Sequence, residues 1–394
     1  MNEPRLTIVL SHPTQYYSPW FRWLRTNTNL TFRVFYLSDF GLRSTVDEKF
    51  GHTFAWDIDL TSGYDWEQVP NRAAQPDTLR YDGLKNPEIF ERVSRYAPSA
   101  VLLFGYKYHT HLRLIAWCRL RRIPLLFRGD SHVIGRGRLP SKTRWALRLL
   151  YAQFAAITYV GQANHDYFRL CGAPQRKLFF APHAVDAARF TAAAPVAQAE
   201  ARDLREKIGL IGKIVVLFAG KLIPSKQPEA LLDAFIGLDD PNAALVFVGD
   251  GPVKSDLRAR AQRSPQAQVH FLPFANQSEM PSRYALADLL ALPSRGAYET
   301  WGLAVNEAMH LGVPALVSDH VGCQRDLVED GKTGWVFSAE DPGSLRSKLR
   351  EALSALRQPA QASALRDHVH DRIAHFTYAQ TSAGLQAALA YALH

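Results

Sequence analysis

Glu299 stands before a short predicted helix and Glu307 within it in "PSRGAYETWGLAVNEAMHLGVPALVSD", Pro293 to Asp319, with seven residues between them. Thr300 is a candidate cap and Gly312 and Pro314 are stop signals, so the helix is predicted from about Gly302 to His310. At ~1.5 Å per helical residue plus a few loop residues, the two carboxylates fall on the order of 10 Å apart. That span suits a sugar at one end and a ribose at the other, with a diphosphate between. The helix start would offer free N–H groups and partial positive charge to the diphosphate, and Gly302 would let the backbone come close. Thr300 and Leu303 flank that glycine and complete the candidate donor-binding turn. Taken alone, two glutamates around an amphipathic helix are more often solvated than functional.

The surrounding pattern reverses that balance. "ETWGLAVNEAMHLGVPALVSD" resembles the donor-site motif of the retaining, nucleotide-sugar-dependent glycosyltransferases of the GT-B fold, glycosyltransferase family four. Their signature is two glutamates separated by seven residues, then an alanine-methionine pair and a glycine-x-proline turn. "FAGKLIPSKQPEALLDAF" is similar to the family's strand, basic residue, loop, lysine and helix element. The resemblance implies that Lys221 and Lys226 hold the donor's diphosphate as the sugar leaves, and that Glu299 and Glu307 accept hydrogen bonds from sugar hydroxyls. It also implies that Gly249 and Gly251 of "VGDGP" form a tight loop near the nucleotide, and that Phe274 of "HFLPF" lies against the base. Arginine is commoner in the family where Lys221 stands, and a lysine cannot make the same bidentate fork.

As the resemblance implies, the reaction needs no metal and no cofactor beyond the nucleotide-diphosphate sugar as co-substrate, because basic side chains and helix N-termini neutralise the leaving group. The acceptor hydroxyl then attacks from the face of the departing phosphate and passes its proton to it. "DID", Asp57 to Asp59, could chelate a metal, but it sits in the alternating, strand-like "FAWDIDL". "HTH", His109 to His111, has no third ligand nearby. His109 is the better candidate to line a cleft, where the family commonly has a histidine. In "FRGDSH" the residues Arg128, Asp130 and His132 follow a strand and point toward the same cleft.

These residues need a scaffold that gathers strand ends. Short β-like runs alternate with helical segments throughout, which predicts an α/β chain with parallel sheets. The first half offers strands at Leu6 to Leu10, Thr31 to Leu37, Ala100 to Phe104, Pro124 to Phe127, Ala156 to Val160 and Leu178 to Phe180. A second series begins at Ile214 and alternates strictly. At 394 residues the chain exceeds one core of ~250 to 300 residues. The expectation is two Rossmann-like doubly wound domains facing across a cleft: 1–190 for the acceptor, 191–374 for the nucleotide sugar. The alanine-rich "AARFTAAAPVAQAEARD" is read as the linker. By the GT-B resemblance, a last helix in 375–394 returns to the first domain.

Charge is uneven. Residues 1–190 hold 26 Lys+Arg against 15 Asp+Glu, and the remainder holds 20 against 22, so an anionic partner meets the first half. Arginines crowd from Arg113 to Arg148, and in "GRGRLPSKTRWALRLLY" Arg144 and Arg148 share one helical face while Trp145, Leu149 and Ala152 share another. Such a helix can lie on an anionic membrane or, more blandly, pack on its sheet with a solvated basic face. No nucleic-acid-binding module is recognisable. No apolar run reaches the ~18 residues of a membrane span, and "MNEPRLTIVLSHP" is no signal peptide. Cys118, Cys171 and Cys323 form no CxxC pair, which fits a reducing cytoplasm, with a peripheral position at the inner face of the membrane as the finer expectation.

The first predicted βα loop, "HPTQYYSPW", has no glycine where many of the resembling proteins carry a pair against the donor phosphate. Released from that task, His12, Gln15, Tyr16 and Tyr17 are candidates to shape the acceptor pocket. The leading reading is transfer of a sugar, with retention, to a saccharide or lipid-linked acceptor, in bacterial surface polysaccharide or glycoconjugate synthesis. A nucleotide-sugar epimerase and a non-catalytic nucleotide- or glycan-binding partner are the alternatives.

Overall fold

The computed structural model describes residues 4–42, 45–47, 52–54 and 56–394. Residues 1–3, the start of the stretch read above as no signal peptide, lie outside them, as does Ala55 of "FAWDIDL".

The first half builds a parallel sheet from β1 (Arg5–Leu10), β2 (Thr31–Tyr36), β5 (Trp66–Gln68), β6 (Ala100–Phe104), β7 (Leu125–Arg128), β8 (Ala156–Tyr159) and β9 (Leu178–Phe180). Its order is β5-β2-β1-β6-β7-β8-β9, and β3 (Thr45–Asp47) pairs separately with β4 (His52–Phe54). The second half builds another from β10 (Ile214–Ala219), β11 (Ala243–Val248), β12 (Val269–Leu272), β13 (Leu289–Leu292), β14 (Ala315–Ser318) and β15 (Gly334–Phe337), in the order β12-β11-β10-β13-β14-β15. All pairings within both sheets are parallel. The strands are near-continuous apolar runs because helices cover both faces.

In each sheet the order reverses beside the first strand, between β1 and β6 and between β10 and β13. A crevice opens at such a switch point, outside the carboxyl ends of the strands. The loops after β1, β10 and β13 carry "HPTQYY", "KLIPSK" and "SRGAYET", so the candidate chemistry hangs on the two switch points.

The alanine-rich segment differs from expectation. It is not a loose linker but the helix Ala187–Lys207, which buries Phe190, Ala197 and Ala201 and packs on the helix Met280–Ala285. Alanine is the best helix former and its small side chain permits close helix contact, while the Asp186 side chain caps the first turn through Arg189 N. The core that begins on the second sheet continues through Phe190 to Val160 and Val185, so apolar packing is unbroken between the two halves.

The final helix, Tyr378–Leu393, lies on the first sheet, where Leu385, Ala388 and Leu389 join Ile8, Trp20 and Leu102 in one core. Gly384 permits the approach: a Cβ there would stand 1.9 Å from the Phe180 carbonyl oxygen. Trp20 Nε1 donates to Ser382 Oγ at 3.0 Å across that contact.

Candidate functional site

A cavity of about 560 Å³ lies where the two switch points face each other. The second sheet supplies Gly220, Lys221 and Lys226 from the loop after β10, Gly249 after β11, Phe274 after β12, and Glu299, Thr300, Gly302, Leu303 and Glu307 after β13. The first sheet supplies Gln15, Tyr16 and Tyr17 after β1 and Asp130 after β7. Most of the candidates scattered over nearly 300 residues of sequence therefore line one space.

The helix that carries Glu307 runs Leu303–Met309, capped by Gly302 at φ 101°. That left-handed conformation and the crowding explain the glycine, since a Cβ would meet Leu292 Cδ2 at 2.9 Å and Val321 Cγ1 at 3.0 Å. Gly249 serves a second close approach, with its missing Cβ only 2.0 Å from the Gly220 carbonyl oxygen. Gly251 does the same against the Leu222 carbonyl at 2.3 Å and is not among the cavity-lining residues. Its place is loop packing, one step behind the site.

Lys226 Nζ lies 3.0 Å from Glu299 Oε2, and both side chains are mostly buried. Ser294 Oγ donates to the same oxygen at 3.1 Å. Glu307 is buried on the helix, where its Oε2 accepts from Tyr284 OH at 2.6 Å while Oε1 has no partner among the described residues. Burial raises its pKa, partly offset by the Tyr284 hydrogen bond and the nearby Arg189 guanidinium. A buried carboxylate oxygen left unpaired is a strong acceptor awaiting a donor.

A histidine and a threonine bridge the cleft. His132 Nε2 lies 3.2 Å from the Glu299 carbonyl oxygen, and Thr300 Oγ1 donates to Asp130 Oδ2 at 2.9 Å. The strand-end loop of "FRGDSH" thus grips the peptide that carries Glu299. The same Asp130 oxygen is 3.6 Å from His183 Nε2. Burial alone would raise the Asp130 pKa, but the nearby His183 imidazole and the hydrogen bond from Thr300 outweigh it and bring it to about 2.

His183 lines the cavity and is absent from the sequence reading. Its only signal was position: it stands at the end of β9 in "APHAVD", the same carboxyl-edge logic that singled out Asp130. Tyr284, which orients Glu307, gave no sequence signal, because it comes from a separate helix.

Three expected residues go elsewhere. His109 begins the helix His109–Leu120 but borders a different depression, with Arg72, Asn86 and Arg113. The segment before α-helical residue 89 straps that end: Thr110 Oγ1 donates to the Leu84 carbonyl and Lys107 and Tyr108 reach the Thr78 carbonyl, so the helix start turns from the cleft. Arg128 is buried under the cavity floor, donating to the carbonyls of Ala181 at 2.9 Å and Pro182 at 3.3 Å, with Trp20 5.4 Å from its guanidinium. His12 does not line the cavity but supports Phe40, which does, through an edge contact at 5.1 Å.

"DID" is a loop rather than a strand: Asp57 accepts from Ser278, and Asp59 from the backbone of Thr61 and Ser62. Among the described residues no cluster of three or more His, Cys, Asp or Glu is placed to hold a metal ion.

Residues 200–364 match the family described as glycosyl transferases group 1. The chain is 32% identical over 238 residues to a GDP-mannose-dependent alpha-(1-6)-phosphatidylinositol monomannoside mannosyltransferase of Mycolicibacterium smegmatis, a match covering 58% of this chain and 61% of the relative. It is 31% identical over 226 residues to a D-inositol 3-phosphate glycosyltransferase of Jonesia denitrificans, covering 54% of this chain and 52% of the relative. The chain thus spans 61% or less of the length of these curated relatives. The crystal structure of Anabaena HepE in complex with UDP superposes with TM-score 0.73 at 16% identity, covering 98% of this chain and 99% of that one. WaaG, a glycosyltransferase involved in lipopolysaccharide biosynthesis, superposes with TM-score 0.63 at 15% identity, covering 96% and 98%. At such identities the likeness shows the shared two-domain fold, which is GT-B.

Proposed function

We propose that this chain, whose residues 200–364 match the glycosyl transferases group 1, transfers a sugar from a nucleotide-diphosphate sugar to a saccharide or lipid-linked acceptor, with retention of anomeric configuration and without a metal. One observation carries this reading: two lysines after β10 and two glutamates after β13 face the first sheet's βα loop across a single cavity.

In this reading the unpaired Oε1 of Glu307 accepts a ribose hydroxyl, and Phe274 lies against the base. Lys221, Lys226 and the start of the helix Leu303–Met309 hold the diphosphate, and Gly302 and Gly249 leave room for it. Thr300 and Leu303 shape the turn beneath. Glu299 binds the sugar's hydroxyls, and Lys226, 3.0 Å from it, bridges sugar and phosphate. The lysines offset the negative charge that builds on the leaving phosphate as its bond to the anomeric carbon breaks. The acceptor hydroxyl forms the new bond from the same face and gives its proton to the departing phosphate oxygen. Gln15, Tyr16, Tyr17 and Asp130 border the space left for that acceptor. The two named mannosyl- and inositol-phosphate glycosyltransferase relatives support transfer to a phosphorylated or lipid-borne acceptor, in keeping with surface glycoconjugate synthesis at the inner face of the membrane.

The test is a panel of UDP-, GDP- and ADP-sugars for binding, then transfer with the preferred donor, with product configuration read by proton NMR and activity repeated with EDTA. Full activity in both Glu299→Ala and Glu307→Gln, an inverted product, or loss of rate with EDTA would each overturn its part of the proposal.

A further inference from the structure

The helix Ser141–Tyr151 turns Leu147 and Tyr151 onto the sheet and leaves Trp145 at 65% and Leu149 at 48% exposure. The apolar stripe seen in the sequence is therefore not the face that packs. Single exposed apolar residues are ordinary, but these have neighbours. Trp145 and Leu170, 40% exposed, border one depression with Arg144 and Arg148. The end of the same helix borders a second one with Arg119, Arg122 and Lys177, whose lining contains no acidic residue. Leu120, between those arginines, is 85% exposed. Tryptophan and leucines thus project from a field of guanidinium groups.

The field is not neutralised. From Ala97 to Val185 the chain has fourteen Lys+Arg and two acidic residues, Asp130 and Asp166. Asp130 faces the cavity, and Asp166 is paired with Arg325 at 2.8 Å. Among the described residues, no helix is long and apolar enough to cross a membrane.

We propose that the face formed by Leu120, the exposed side of the helix Ser141–Tyr151 and Leu170 docks on an anionic lipid bilayer. The apolar tips enter the headgroup region while the arginines meet lipid phosphates, the two contributions that interfacial binding combines. Nucleic acid is the weaker fit, because three of the four apolar groups are leucines and offer no stacking face. The proposal specifies where a lipid-linked acceptor would be met, and so rests on the glycosyltransferase reading for its purpose but not for its surface.

The full chain is mixed with phosphatidylcholine vesicles with and without one-third phosphatidylglycerol and sedimented. Binding is expected only to the anionic vesicles, weakening with salt. Trp145→Ser with Leu149→Ser should weaken it about 10-fold, and Arg119→Gln with Arg144→Gln about 30-fold, all with unchanged unfolding midpoints. Quenching of tryptophan fluorescence by brominated lipid should fall in Trp145→Phe, a conservative check that needs no polar replacement. UDP and GDP affinity should be unchanged in every variant, which separates this surface from the cavity. Failure of the wild-type chain to bind anionic vesicles, equal binding by the variants, or displacement from vesicles by single-stranded RNA would overturn the proposal.

Discussion

Replacing Thr300 by valine removes one hydroxyl and almost no volume, yet it cuts the hydrogen bond that ties the Glu299 loop to the opposite sheet. Thr300 Oγ1 donates to Asp130 Oδ2 at 2.9 Å, and without it that oxygen keeps only His183, at 3.6 Å. A hydrogen bond to a charged acceptor contributes about 1.5–3 kcal/mol, and since the Asp130 side chain is 43% exposed the lower end applies. That is roughly 10-fold in a rate if all of it is lost in the transition state. Because Thr300 adjoins the residue proposed to hold the sugar, the loss should fall on kcat and leave the donor KM nearly unchanged. Release of nucleotide diphosphate at saturating donor measures it. Thr300→Ser restores the hydroxyl and should come within about threefold of wild type, since only packing of one methyl is lost. A thermal unfolding midpoint unchanged in both variants excludes a folding defect. If Thr300→Val keeps wild-type kcat, or if Thr300→Ser is as impaired as Thr300→Val, the cross-cleft bond does not position Glu299.

Glu307→Gln should raise the donor KM about 10- to 100-fold in initial-rate assays, because a neutral amide accepts the proposed ribose hydrogen bond more weakly than a carboxylate. Lys226→Met should lower kcat about 100-fold or more, since it removes charge from the leaving phosphate and strips Glu299 of its counter-ion. Asp326 gives a pH signature: burial raises its pKa to about 6, although it accepts from Gln162 N at 3.0 Å across the two halves. A raised acid binds its proton more tightly when folded, so its stabilising effect is complete below about pH 4 and lost as pH rises through about 6. Asp326→Asn should therefore increase stability by about 1–3 kcal/mol at pH 7.5, and the gain should shrink by pH 5, as followed by thermal unfolding at both pH values.

The second sheet was the more legible half because its strands and helices alternate without interruption from Ile214, and because the Glu299 to Glu307 segment is local. A helix of seven residues with a glycine cap and a glycine-x-proline stop declares itself within thirty positions. The histidine choice failed for a tertiary reason. His109 sits after a switch-point strand, as the cleft logic requires, but the strap around Thr78 and Leu84 covers that helix start. His183 took the place beside Asp130 from a strand end 53 residues away from it. The alanine-rich helix was misread because low apolar content marks a linker only when nothing small-sided packs against it.

Residue types and spacing alone determined the α/β alternation, the paired glutamates, the two lysines and the basic first half, since each rests on local propensity or local charge. The tertiary structure decided which of those groups meet. Asp130, His183 and Thr300 share one carboxylate oxygen, Tyr284 orients Glu307, and Trp145 faces outward. Each depends on how separate helices and strand ends pack across two sheets, and packing partners distant in the chain leave no periodicity in it to read.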